Sequence, residues 1–152
     1  MKLIVVTSKN YRARKDFPRK YAAMKQTADE ETLLMETAAS RKVERERAKD
    51  GLVIEEAYYG NIYAPNGDVT TSNIIDVTIP LQFMVSKGEL SLPRFSKSLL
   101  DGFFDPCLDE DNYLLIKYKH QGILHSVVLA ENESAAIPSL SEYFVLNYVF
   151  LY

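Results

Sequence analysis

Cysteine is nearly absent from this sequence. The one thiol, Cys107, excludes an internal disulfide and suits a reducing compartment, or one where disulfides go unused here. Histidine is almost as scarce, with two residues, so a metal site of the usual Cys/His kind has few ligands to draw on. The six glycines are scattered, and none builds a phosphate-cradling loop. Neither a Gly-x-Ser-x-Gly elbow nor a His-Glu-x-x-His helix occurs. No apolar run approaches the ~18 residues of a spanning helix. Charge of one sign is not in excess either. A net charge of −3 over 152 residues gives no general pull toward nucleic acid or an anionic membrane. No cofactor, metal or small-molecule substrate is expected, and the chain reads as a binding module rather than an enzyme.

The chain is long enough to bury a substantial core without a disulfide or metal staple. Its character changes near Gly51. Residues 1–16 form a basic N-terminal segment, 17–50 a long charged helix, 51–138 an all-β domain, and 139–152 an apolar tail. The opening run Met1 to Thr7 lacks the apolar length and cleavage site of a secretory signal. Asn132-Glu133-Ser134 therefore carries no weight as a glycosylation site. In the first 25 residues Lys2, Lys9, Arg12, Arg14, Lys15, Arg19, Lys20 and Lys25 face one acid, Asp16. A solvated linker is the favoured reading, with a mitochondrial presequence as the alternative.

The helix is expected from about Phe17 to Asp50. Asp16 suits its N-cap, Pro18 an early position, and Gly51 a left-handed stop. Met24, Ala28, Met35, Ala38 and Ala39 make a narrow apolar stripe, helped by Tyr21, Leu34 and Val43. At 1.5 Å per residue such a helix is ~50 Å long, wider than a small β domain. The stripe is either a coiled-coil seam, interrupted by Glu31 and Thr32, or a surface packed on the chain's own β domain.

Beyond Gly51 the pattern is β. Strands are expected over Leu52–Tyr59, Ile74–Ile79 and Leu90–Pro93, with Leu81–Val85 extended after a break at Pro80. Ser86-Lys87-Gly88-Glu89 reads as a turn. The clearest hairpin joins Tyr113–Lys119 to Ile123–Leu129 through His120-Gln121-Gly122. The fold class is α+β: a long N-terminal helix, then a small antiparallel β-sandwich or open barrel.

Chemical candidates are weak. Cys107 with His125 would make a thiol and its base, and Asp105 would complete three metal ligands, but the spacing favours a buried thiol and a strand histidine. Asp105, Asp109, Glu110 and Asp111 form an acidic loop that reads as a solvated turn rather than a calcium site. The apolar surface is more informative. Residues 139–152 include Tyr143, Phe144, Val145, Leu146, Tyr148, Val149, Phe150, Leu151 and Tyr152. This stretch suits a further strand or a partner's groove. Phe103 and Phe104 read as one core plug and one interface anchor. The candidate partner-binding residues are Tyr21, Met24, Met35, Phe104, Tyr143, Phe144, Tyr148, Phe150 and Tyr152.

Several stretches carry a family resemblance. They are Gly51 to Gly60, Ile75-Asp76-Val77-Thr78-Ile79-Pro80-Leu81-Gln82, and Gly102-Phe103-Phe104-Asp105-Pro106-Cys107. Tyr118, Gly122, Leu124, His125 and Ile137-Pro138 complete the set. Together with the preceding helix, from roughly Tyr11 to Pro138, they resemble the C-terminal domain of the DnaJ homologue subfamily C member 11 proteins. The second and third stretches are the distinctive ones. The resemblance implies a mitochondrial, membrane-associated setting, among assemblies that shape cristae, with protein subunits as partners and peripheral membrane association. It supplies no catalytic residue. A J domain would carry a His-Pro-Asp motif for stimulating a heat-shock chaperone ATPase, and this sequence has none. The expected function is a structural or scaffold subunit of a mitochondrial membrane-associated complex. The alternative is a co-chaperone accessory, binding clients beside a J domain supplied in trans. The 139–152 stretch departs from the family pattern.

Overall fold

The computed structural model describes residues 4–67 and 70–139. Helix α1 spans Ile4–Ala48, 45 residues and about 68 Å. Strand β1 (Val53–Gly60) and the short β2 (Ile74–Asp76) follow. Helix α2 (Thr78–Met84) and β3 (Leu90–Leu92) come next. Then come β4 (Tyr113–His120), β5 (Ile123–Ala130) and β6 (Ala135–Ile137). One antiparallel sheet has the order β2-β1-β4-β5; β3 and β6 pair separately. Among the described residues the architecture is α+β, with sheets of four and two strands and no closed barrel. Among the described residues no helix is long and apolar enough to cross a membrane.

The helix begins earlier than the sequence suggests. No Gly or Pro stands between Ile4 and Phe17, so nothing there stops it. Pro18 lies inside it, where its missing N–H leaves the carbonyl of Arg14 without that donor. Asp16 is therefore helical and caps nothing. At the other end, Gly51 N–H donates to the Glu46 carbonyl at 2.8 Å and Asp50 N–H to that of Arg47 at 3.4 Å. This pair of bonds is a Schellman closure. Its left-handed residue is Asp50, at φ 51°, rather than Gly51. A Cβ at Gly51 would displace Glu46 Oε2, which accepts from Leu52 N–H at 2.9 Å.

The stripe on α1 packs on the chain's own domain. Tyr21, Ala28, Met35 and Ala39 are buried, with Phe17 and Met24 half-buried against the same face. Successive members are three, four or seven residues apart, one or two helical turns, and the line continues to buried Glu46. Leu34 lies off this line and is 85% exposed. From Phe17 to Glu46 this stripe is covered by the chain's own domain.

The expected extended run around Pro80 is helix α2. Asp76 Oδ1 accepts from Thr78 N–H at 2.9 Å, turning the chain, and Leu81 N–H donates to Val77 O at 3.1 Å. Pro80 sits in the first turn, where it needs no partner for an N–H. The run of Val, Ile and Leu suits a buried helix as well as a strand.

Hairpin β4–β5 turns at Gln121-Gly122, both at positive φ (51° and 76°). That geometry matches the twist of the flanking strands. Leu114, Ile116 and Tyr118 point into the main core with Leu52, Ile54, Ala57, Tyr59, Leu81 and Leu129.

Candidate interaction surface

The two distinctive stretches are where the helix, the loops and the sheet are joined. Beside β1, β2 pairs only with Tyr58–Gly60, so β1's earlier backbone lacks a strand on that side. The segment from Asp76 to Gln82 supplies the partners instead. Val77 N–H donates to Ala57 O, and Ala57 N–H donates to Thr78 Oγ1, both at 2.9 Å. Ile54 N–H donates to Gln82 Oε1 at 2.7 Å, and Gln82 Nε2 donates to Leu52 O at 3.4 Å. Buried Gln82 thus acts as a side-chain substitute for a strand. Lys42 closes α2 from the long helix, donating to the carbonyls of Phe83 and Val85 with its ammonium 5.0 Å from the Phe83 ring centroid.

The loop from Gly102 to Cys107 joins both cores. Gly102 N–H donates to Glu31 Oε2 at 2.5 Å, so the charged break in the helix stripe is a docking point. Phe103 packs on Tyr59 in the main core, with ring centroids 5.4 Å apart. Phe104 turns to the helix and meets Tyr21 edge-on at 5.1 Å. Both phenylalanines are therefore buried, one in each core cluster. Cys107 Sγ donates to Asn73 O at 3.3 Å, and burial pushes the thiol up to about 11.

Several other polar groups have partners as well. His125 stacks on Tyr118 at 5.1 Å rather than serving Cys107. Asp105 accepts from Cys107 N–H and Asn112 Nδ2; Glu110 accepts from Asn61 Nδ2. Among the described residues no cluster of His, Cys, Asp and Glu has metal-binding geometry. Lys97, only 1% exposed, donates to the carbonyls of Ala130, Glu131 and Glu133 at 2.8–2.9 Å. Burial lowers its pKa. Burial, then the bond to Glu131, raises that of Tyr59, whose hydroxyl donates to Glu131 at 2.5 Å. Ser96 donates to the other oxygen of that carboxylate. Sequence reasoning misses Lys97 and Gln82, because a lone Lys or Gln carries no signal until the fold buries it.

Of the partner-binding residues that the sequence singles out, Tyr21, Met35 and Phe104 are buried inside the chain and Met24 is half-buried. Tyr21, Met24 and Met35 lie on the side of the helix that faces the domain, where Tyr21 meets Phe104. Tyr143, Phe144, Tyr148, Phe150 and Tyr152 lie outside the described residues.

Among the described residues, what the fold leaves open is the far side of the large sheet. The register puts Tyr58, Leu115 and Val128 in one row across β1, β4 and β5. Glu56, Lys117 and Ser126 form the next row, with an ion pair of 3.2 Å between the first two. Lys119 and Leu124 follow. Tyr63 stacks edge-on against Tyr113 at 4.9 Å beyond the first row. Tyr63 is 69% exposed and Leu124 62%. An aromatic and aliphatic surface around a small charged centre has the make-up of a protein interface.

The sequence is similar to that of known proteins. A family model described as DnaJ-like protein C11, C-terminal, matches residues 12–138. DnaJ homolog subfamily C member 11 of Mus musculus is 37% identical over 121 residues, covering 77% of this chain and 21% of that protein. Its namesake from Pongo abelii is 36% identical over 118 residues, with the same shares. The Dictyostelium discoideum homolog is 34% identical over 120 residues, 75% of this chain and 21% of that protein. No solved structure matches. The chain spans about a fifth of the length of these curated relatives. It belongs to the DnaJ-like C11 C-terminal family, a DnaJ-related domain rather than a known catalytic one.

Proposed function

We propose that this chain is a non-catalytic protein-interaction module serving as a structural subunit of a mitochondrial membrane-associated assembly. The observation that carries the reading is the open sheet face, with Tyr58, Tyr63, Tyr113, Leu115, Leu124 and Val128 around the Glu56–Lys117 pair. The polar groups suited to chemistry favour it too, since Cys107, Lys97, Tyr59 and Glu131 serve one another or the backbone. Family resemblance supports the mitochondrial setting. Partners are protein subunits, and any membrane association is peripheral, through them. Affinity purification from mitochondria with the full chain tests this. Paired Leu124→Glu and Val128→Glu substitutions should remove a reproducible set of membrane-complex subunits. Equal capture by both forms, or capture of no such subunits, would refute it.

A second reading rests on the relatives' names, which are those of DnaJ homologues. The sheet face would then bind clients or a chaperone beside a J domain supplied in trans. Its signature is a change in chaperone ATP turnover when a J-domain protein is present, abolished by the same substitutions.

A further inference from the structure

A cavity of about 770 Å³ lies at one end of the large sheet, between the loop before β4 and the turn after β5. Asp105, Glu110 and Asp111 line it from the loop, Glu131 and Glu133 from the turn. Among the described residues the ion pairs lie elsewhere, at Lys25–Asp29, Arg47–Glu55, Lys49–Glu46 and Lys117–Glu56. Lys97 is buried beside the turn and directs its three N–H donors to the carbonyls of Ala130, Glu131 and Glu133. Acidity alone would mark only a solvated turn. Asn112 adds an independent observation. It lines the same cavity and is 9% exposed. Its Nδ2 donates to Asp105 Oδ1 at 2.9 Å, while its buried Oδ1 accepts from nothing among the described residues. Buried acceptors are nearly always satisfied, so this one marks a place for a donor.

We propose that this cavity binds an arginine side chain presented by a basic segment of a partner protein. Its walls hold acceptors with spare capacity. Asp105 accepts its two hydrogen bonds at Oδ1, leaving Oδ2. Glu110 accepts at Oε2, leaving Oε1, and Asp111 is exposed. A guanidinium is the matching group. It is permanently charged, has no acceptor, and carries five donors in a planar fork that reaches several oxygens at once. An ammonium is a compact point charge, less suited to separated acceptors. A bare divalent cation fits poorly, since among the described residues no cluster of His, Cys, Asp and Glu has metal-binding geometry. The negative field reaches the interior. Beyond the effect of burial, the charges of Asp105, Glu110 and Glu131 add to the rise of the Cys107 thiol. Tyr113 lines both this cavity and the open sheet face, but the carboxylates and Asn112 lie apart from that face. The inference therefore does not rest on the proposed function.

NMR titration of the full chain at physiological salt tests this, with a blocked Gly-Gly-Arg-Gly-Gly peptide and its lysine and citrulline counterparts. The arginine peptide should shift the Asn112 side-chain amide saturably and bind roughly threefold or more tightly than the lysine peptide. The citrulline peptide, of the same shape without the charge, should not bind. Glu110→Gln/Asp111→Asn should weaken arginine binding about fivefold, as two lost exposed ion pairs allow. Glu56→Gln, on the open face, should leave it unchanged. Unshifted Ile54 and Ala57 amides would show that the variants still fold. Equal binding of the two charged peptides would reduce the cavity to a diffuse negative field and overturn the proposal. So would an Asn112 signal that stays put at millimolar peptide, or equal losses in the Glu56 and Glu110/Asp111 variants. Saturable shifts of the same signals by calcium chloride alone, with displacement of the peptide, would overturn it in favour of a metal.

Discussion

Glu31 and Gly102 stand 71 residues apart, yet the backbone N–H of Gly102 donates to the Glu31 carboxylate at 2.5 Å. Gly102 holds φ +82°, and a Cβ there would meet Pro80 Cγ at 2.5 Å. One contact thus joins the long helix, α2 and the loop that carries both phenylalanines. Glu31→Ala should cost about 1–3 kcal/mol, the range for stranding a half-buried donor. Gly102→Ala should cost at least as much, since backbone strain alone is worth about 1–3 kcal/mol. Urea denaturation of both variants measures this, and wild-type midpoints would contradict it.

Gln82 should be as intolerant as a core leucine. Gln82→Met keeps the volume but leaves the Ile54 N–H and the Leu52 carbonyl without their partner. A loss of roughly 1–3 kcal/mol is expected for each buried group left unmade. Faster amide exchange at Ile54 should accompany it. A neutral Gln82→Met would mean that β1's edge is closed by something else.

Lys97 predicts a similar sensitivity without a catalytic phenotype. Lys97→Met removes the donor to three carbonyls while keeping most of the apolar stem. Destabilisation of about 2–4 kcal/mol is expected, by analogy with other buried charged hydrogen bonds. Thermal melting would reveal it, together with loosening of the turn after β5.

Alkaline stability should carry the signature of Cys107. Its thiol ionises near 9.0 when unfolded and is pushed up to about 11 by burial in the fold. Below pH 9 both states hold the proton. Between pH 9 and 11 the folded state holds more protons, so stability falls as pH rises through this window. The loss is about 2–3 kcal/mol at most. It should be missing from Cys107→Ala, whose stability difference from wild type should shrink with pH. Parallel curves for the two forms would contradict the buried assignment.

The hairpin β4–β5 is legible in the sequence because its apolar alternation and Gln121-Gly122 turn are local signals. The helix stripe is legible too, but not its destination. A three-four spacing says only that one side of a helix is covered, and Glu31 looks like a flaw until Gly102 supplies its role. Helix α2 reads as extended because Val77, Ile79 and Leu81 suit strand and buried helix alike. The early start of α1 escapes notice because Asp16 and Pro18 look like a beginning in isolation. The open face has no signature along the chain at all. Its residues alternate with core residues on the same strands, and only the register shows which row faces outward.

The open face gives the most direct test. Oxidative footprinting would compare the free full chain with the chain bound in the proposed assembly. Tyr58, Tyr63, Tyr113 and Leu124 should react when the chain is free and be protected on assembly, while Tyr21 and Met35 stay protected in both. The opposite pattern, with Tyr21 and Met35 gaining protection only on assembly, would show that the helix, not the sheet, meets the partner.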